Sequence, residues 1–284
     1  PGARVPVVLV RDPEAAISKI AAALAPPTVR PAPGVHPSAS VDRTAVLGEG
    51  VSVGPGAVVE AGARVGARTV IRACASVGRD ARVGADGWLH PGARVGDGVS
   101  VGDRVTIGFN AVVGGDGFGF LPAGRGRVPH RVPHLGTVEI GDDVDIGSCA
   151  QVARSRFGRT VVGRGAKIDA MVQVAHNCRV GEGAILSAQV ALAGSTVLGD
   201  GVLVGGQAGF AGHLDIGPGA RIGAGSGVAK DVPAGAAWAG YLARPHREWL
   251  REGAALRRLA RGPARRRKAA RGQRKRRRGS SEEE

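Results

Sequence analysis

Aromatic side chains are nearly missing from this chain: five Phe, three Trp and one Tyr make up 3% of its 284 residues. A globule with a large aromatic core is disfavoured on that count. Cysteine is as scarce. Cys74, Cys149 and Cys178 lie far apart, with no CxxC pair. That excludes a disulfide framework, fits a reducing cytoplasm, and reads as small buried residues. No apolar run approaches the length of a membrane span. No signal peptide is visible in a sequence that begins at Pro1. Acid is missing from residues 261–278, which hold 11 of the 39 Lys and Arg, before three Glu at 282–284. The net charge of +15 is therefore largely a property of the tail, and the body is only moderately basic. Glycine, by contrast, is abundant at 48 residues, which suits tight turns repeated many times.

Residues 4–10 (RVPVVLV) read as a short strand. Asp12-Pro13-Glu14 is a helix start: an N-cap, a proline at the first helical position and an acid in the first turn. The helix is expected to run to about Leu24, with Ile17, Ile20 and Leu24 on one face, and Pro26-Pro27 ends it. Residues 1–34 are too little for a whole α/β domain and look like the remnant of one, plus a linker.

At Val35 a register of six begins. Val35, Val41, Leu47 and Val53 open a run of fourteen aliphatic residues that ends at Val113. Neither a helical period of 3.6 nor a plain strand period of 2 explains it. A hexapeptide β-helix does. Each hexad forms one flat face with its aliphatic residue inward, three hexads make an 18-residue coil, and coils stack about 4.8 Å apart. The register stops at Gly114. Residues 114–137 are an insertion rich in Gly, Pro, Arg and His, of the kind that repeat proteins place on a binding face. It resumes at Ile140, Ile146 and Val152, slips by four residues, and runs unbroken from Val162 to Val228. The expected solenoid spans 35–240. A helix over 241–262 would cap its open end or bundle with copies of itself. Residues 263–284 form a solvated basic tail with an acidic end, expected to be disordered and able to contact an anionic membrane or nucleic acid.

On such a scaffold, sequence separations become short distances. Gly194 is one coil above His176, and His213 is two coils up and one residue round, on the order of 10 Å along the axis. A neutral histidine can act as general base near pH 7, and an unobstructed backbone N–H at Gly194 can bind an oxyanion. With no activated Ser or Cys on an elbow, the pattern suggests direct acyl transfer without a covalent enzyme intermediate.

The solenoid, the GGDGFGF insertion, the GTVEIGDDVDIG restart, VAHNCRVG and the Gly212-His213 pair together closely resemble the UDP-3-O-acylglucosamine N-acyltransferases of lipid A biosynthesis, over roughly residues 5–260. The resemblance implies a left-handed parallel β-helix, an exception to the usual crossover handedness. It also implies a cytoplasmic homotrimer with sites between subunits. The donor would be a 3-hydroxyacyl chain on the phosphopantetheine of acyl carrier protein, and the acceptor the 2-amino group of UDP-3-O-acylglucosamine. No metal or other cofactor is implied. His176 matches the family's base, Gly194 its oxyanion donor and His213 its second active-site histidine. Asn177, Phe118, Phe120 and Arg154 are candidate substrate contacts. Arg125, Arg127 and Arg131, with the arginines of the C-terminal helix, are a candidate docking surface for the acidic carrier.

Two departures stand out. The family's T-I-D-R-G run is QVARS here, with Ala153 in place of Asp, Arg154 kept and Ser155 in place of Gly. The family's N-terminal uridine-binding domain is represented only by residues 1–34. A related O-acyltransferase, a sugar acetyltransferase or an impaired paralogue acting as a scaffold are the alternatives. A zinc-dependent carbonic anhydrase on the same scaffold is disfavoured, because His130 and His134, the only close histidine pair, lie on the insertion outside the hexads.

Overall fold

The computed structural model describes residues 8–27, 29–122, 124, 128–240 and 243–260. The chain divides between Trp238 and Ala239 into two units. The first carries a parallel β-solenoid. Its strands are mostly two residues long and fall into three parallel sheets of 11, 10 and 9 strands among the described residues.

Each expected aliphatic residue is the second residue of one of these strands or lies within one. Val35 pairs with Val53, Val41 with Val59 and Leu47 with Val65, each 18 residues on and each in a different sheet. The inward column is closed to solvent almost throughout: Ile71, Leu89, Ile107, Ile146, Leu186 and Ile216 are at most 1% exposed. Residues four positions on, alanines such as Ala57, Ala75 and Ala93 and valines such as Val99, Val105 and Val190, are also buried, because they point inward where the chain turns into the next face. The turns place a left-handed residue every sixth position, with alternating charge along one edge. Arg68 pairs with Asp86, and Arg104 with Asp143.

The repeat extends further than its hexads indicate. After Val228 the chain drops two residues from the register. Val232 then bridges Ile216, and Ala237–Trp238 pairs with Arg221–Ile222. A proline, two alanines and a tryptophan at these positions hide the pattern from a search for aliphatics. The four-residue slip after Val152 is absorbed at the surface between strands Gln151–Ala153 and Arg159–Val162.

The described residues of the 114–137 insertion include strands. The strand Val112–Gly115 leaves the second sheet, a two-stranded antiparallel hairpin of Phe120–Leu121 and His130–Arg131 follows, and Thr137–Ile140 rejoins the ladder. The ladder is continuous across the gap, since Val113 pairs with Val152 and Val101 with Ile140.

The N-terminal helix α1 runs from Pro13 to Leu24, with the Asp12 carboxylate accepting from the Ala15 N–H at 3.0 Å. Ile17, Ile20 and Leu24 are all more than half exposed, so its apolar face is uncovered. The expected strand is not found at Val8, Leu9 and Val10, which have no ladder partner, and residues 4–7 lie outside the described residues. In the second unit, helix α2 spans His246–Ala260 and buries none of its residues. The basic tail from 261 lies outside the described residues.

Candidate active site

His176 stands at the turn that follows strand Gln173–Val174 of the second sheet. The turn bends because Asn177 takes the left-handed conformation (φ 63°), which asparagine tolerates better than most residues. Three bonds lock Asn177. Its N–H donates to the Thr160 hydroxyl at 2.9 Å, its Nδ2 donates to the Phe157 carbonyl at 2.9 Å, and its Oδ1 accepts from the Arg156 N–H at 3.1 Å. Those partners fix which end of the amide is oxygen. The same Oδ1 lies 3.1 Å from His176 Nδ1. An oxygen can only accept, so Nδ1 carries the proton in the neutral ring, and Nε2 is left with a lone pair.

The ring packs against Gly194, one coil on. A Cβ on Gly194 would sit 2.5 Å from His176 Cε1 and 2.8 Å from Nε2. Glycine is required because the imidazole occupies the space of its side chain. Gly212 continues that column, so a trench without side chains runs past the ring over two coils. The Gly194 N–H has no partner among the described residues. His213 is exposed and does not lie in the His176 column. It takes the left-handed position (φ 62°) two coils above Asn177, and its N–H donates to the Gly194 carbonyl at 3.0 Å.

Beside the trench is an apolar groove of about 860 Å³. Its floor is the outer face of the second sheet, where Ala191, Gly209 and Gly227 form a column of small residues next to Ala175, Ala193 and Ala211. Gln151 and Gln173, which the sequence reading passed over, are the polar groups on the floor. The insertion supplies one wall. Asp116, Gly117, Phe118 and Phe120 line it, and the two rings lie 5.2 Å apart, tilted by 57°. Phe118 is 81% exposed, an unusual position for a phenylalanine with nothing over it. Arg131 is exposed and paired with Asp116 at 3.2 Å, while Arg125 and Arg127 lie outside the described residues.

Arg154 is committed to the scaffold. Its Nε donates to the Gly114 carbonyl at 2.9 Å and its second nitrogen to the Asp97 carbonyl at 2.7 Å, pinning the point where the insertion departs. Ala153 is buried and lines the groove, and Ser155 is fully buried against the Gly136 backbone.

The structure adds one residue, His134. It sits where the insertion returns to the ladder, and its ring meets that of His176 edge-on, centroids 5.4 Å apart. It is 6% exposed, and neither ring nitrogen has a partner in hydrogen-bond geometry. Burial holds its pKa below the ordinary value of 6.5, with the neighbouring His176 and Arg156 acting the same way and Asp116 opposing. Gly117 and Gly119 pass so close to the ring that a Cβ would come within 3.0 Å and 2.7 Å of it. The one signal for His134 in the sequence was its place in a close histidine pair on the insertion, two residues before Gly136.

No activated thiol is present beside His176. Cys178 is buried, bonds the Ala193 carbonyl at 3.2 Å, and burial pushes its pKa up to about 11. Among the described residues no group of three or more His, Cys, Asp or Glu side chains is set to hold a metal.

Residues 44–79, 80–115 and 159–194 match the bacterial transferase hexapeptide family (six repeats). The chain is 56% identical over 153 residues to a UDP-3-O-acylglucosamine N-acyltransferase of Myxococcus xanthus, covering 53% of this chain and 44% of that one. The fold is a hexapeptide-repeat solenoid. A second enzyme of the same name, from Syntrophotalea carbinolica, is 50% identical over 149 residues, 52% of this chain and 43% of its own. The chain thus spans less than half the length of these relatives. Among solved structures, the Arabidopsis UDP-N-acetylglucosamine acyltransferase superposes on the hexapeptide solenoid with a TM-score of 0.67 and 29% identity, covering 78% of this chain and 77% of that one.

Proposed function

We propose that this chain transfers a 3-hydroxyacyl group from the thioester of acyl carrier protein to the 2-amino group of UDP-3-O-acylglucosamine. The observation that carries the reading is the His176–Asn177–Gly194 arrangement at the edge of an apolar groove. The names of the relatives supply the acceptor.

In this mechanism the acceptor amine attacks the thioester carbonyl while His176 Nε2 takes its proton. The Asn177 oxygen holds Nδ1–H and favours the imidazolium that forms. The Gly194 N–H donates to the carbonyl oxygen as it becomes an oxyanion, worth roughly 3 kcal/mol by comparison with other single-donor sites. The C–S bond then breaks, and the imidazolium returns its proton to the departing thiolate. The acyl chain lies along Ala191, Gly209 and Gly227, where no side chain obstructs it. The substrate bridges the distance to His213, about 10 Å at two strand spacings. Arg131, on the rim, faces the acidic carrier.

The assembly in this reading is a homotrimer. Phe109, Met171, Ile185 and Leu203 leave apolar surface outside the groove that a second copy would cover.

The test is a donor screen. Purified protein is given UDP-3-O-acylglucosamine with either acyl carrier protein thioesters or the matching coenzyme A thioesters. Amide formation from the carrier thioester alone is expected. Preference for coenzyme A, or acylation of a hydroxyl, would replace this reading with a related transferase.

A further inference from the structure

The insertion approaches His176 at a point the mechanism above does not use. A Cβ on Gly117 would lie 3.0 Å from His176 Cβ, 3.2 Å from its Cδ2 and 3.0 Å from His134 Nε2, so these three residues meet. The Gly194 contact falls on other atoms of the same imidazole, Cε1, Nε2 and Nδ1. The coil therefore bounds one part of the ring and the insertion another, with the His134 ring edge-on at 5.4 Å between centroids. His134 is itself backed by Gly119, where a Cβ would come 2.7 Å from its Cε1.

We propose that His134 is a positioning residue: with Gly117 it forms the clamp by which the insertion keeps the His176 imidazole against Gly194 and bonded to Asn177. The role rests on His176 being the base of the proposed reaction. A histidine needs such a clamp because its outer torsion is soft. One hydrogen bond at Nδ1 leaves the ring free to swing, and a base displaced by about 1 Å can lose about 100-fold in rate. His134 supplies shape rather than proton chemistry. It is 6% exposed and neither of its nitrogens has a partner in hydrogen-bond geometry, so it is neither a relay nor a second base. Its placement is tied to that of Asn177 through one residue. The Arg156 carbonyl accepts from the Leu135 N–H at 2.9 Å, and the Arg156 N–H donates to Asn177 Oδ1 at 3.1 Å. The chain beside His134 and the amide that holds His176 Nδ1 thus hang on the same residue, which fixes the clamp relative to the ring it holds.

The test reads the ring directly. Nitrogen NMR of the histidine side chains in the full chain, at about pH 8 and so above the ordinary histidine value, reports which His176 nitrogen carries the proton. His134→Ala and Gly117→Ala are compared with the parent, and His176→Ala assigns the signals. Gly117→Ala leaves His134 in place and inserts a methyl where the two side chains meet. The parent should show His176 held in its Nδ1–H form. In both variants that signal should move toward the mixture of tautomers of a free imidazole, with the melting curve little changed. Their kcat should fall about ten-fold or more while KM stays within about two-fold. A parental His176 spectrum in folded His134→Ala would overturn the proposal. Should that variant not fold, Gly117→Ala decides, and a parental spectrum there overturns it equally. The spectrum needs no substrate. A parent that forms no amide would remove the proposed reaction and leave the clamp to be judged from the nitrogen signals alone.

Discussion

The imidazole of His176 occupies the volume in which a side chain on Gly194 would lie, with Cε1 2.5 Å from where that Cβ would be. The two residues are 18 apart in sequence and in contact because the coil returns on itself after 18 residues. Gly194→Ala should therefore act on the histidine. The added methyl pushes the ring off the trench and breaks its bond to Asn177. Turnover is expected to fall at least about 100-fold, the size of a lost oxyanion or base contact. The melting temperature should change little, since the site is only half-buried. Steady-state kinetics with circular dichroism melting check this, and a variant with parental turnover would remove His176 from the mechanism.

Asn177 is the next test. Asn177→Asp keeps the acceptor for His176 Nδ1 but turns the donor to the Phe157 carbonyl into a second oxygen, 2.9 Å from that carbonyl. The turn should be destabilised by about 1–3 kcal/mol, read by denaturant unfolding, while the His176 contact is kept and turnover survives better than in Asn177→Ala. Asn177→Ala instead leaves the Arg156 N–H and Phe157 carbonyl unpaired and forces alanine into a left-handed turn. That should cost about 2–3 kcal/mol of stability, read by denaturant unfolding.

His134 predicts a pH dependence of stability. Its pKa is depressed in the folded chain, so the unfolded chain binds the proton more readily. Stability is therefore complete above the ordinary histidine value of 6.5 and falls as pH drops below it toward the folded value. His90, which burial and Arg72 hold down in the same direction, adds to the effect. Melting curves between pH 7.5 and 5 should show the decline. His134→Gln, which cannot titrate, should make it shallower. An unchanged slope would show that this ring is solvated in solution.

The groove floor predicts selectivity by length. A Cβ on Gly209 or Gly227 would meet nothing within 4 Å, so a side chain there points into open groove. Gly209→Leu should fold normally and lose transfer of long acyl chains while keeping shorter ones. Competition between carrier thioesters of different lengths, read by mass spectrometry of the product, measures it. Equal losses at all lengths would place the chain elsewhere.

The solenoid was legible because its signal is redundant. Each coil repeats the demand for an inward aliphatic and a small residue four positions on, so one substitution cannot hide it. The pattern faded where the register drops by two residues before Val232, and where a tryptophan, Trp238, takes the aliphatic position. The positions of His176 and Gly194 followed from coil arithmetic alone. The part played by Asn177 in setting the histidine tautomer did not, because it depends on where Arg156 and Phe157 come to rest. His134 was visible in the sequence only as half of a close histidine pair on the insertion. Its contact with His176 is made by an insertion whose path no period dictates. Arg154 was legible as a charged residue beside the site, but its bonds to the Gly114 and Asp97 carbonyls were not, because they depend on where the insertion leaves the ladder.

The continuous ladder has a last consequence. Each coil holds only its neighbours, so the molecule opens as a zipper does, from its ends inward. Val35 at the first strand is 49% exposed and Trp238 at the last is 39% exposed, while Val174, in the seventh of ten strands along its sheet, is fully sealed. Amide exchange should be fastest at the two ends and slowest through the coils that carry His176 and Gly194. The proposed chemistry sits on rungs that fraying from either end reaches late, so a molecule partly unwound at its tips can still hold the His176–Gly194 geometry.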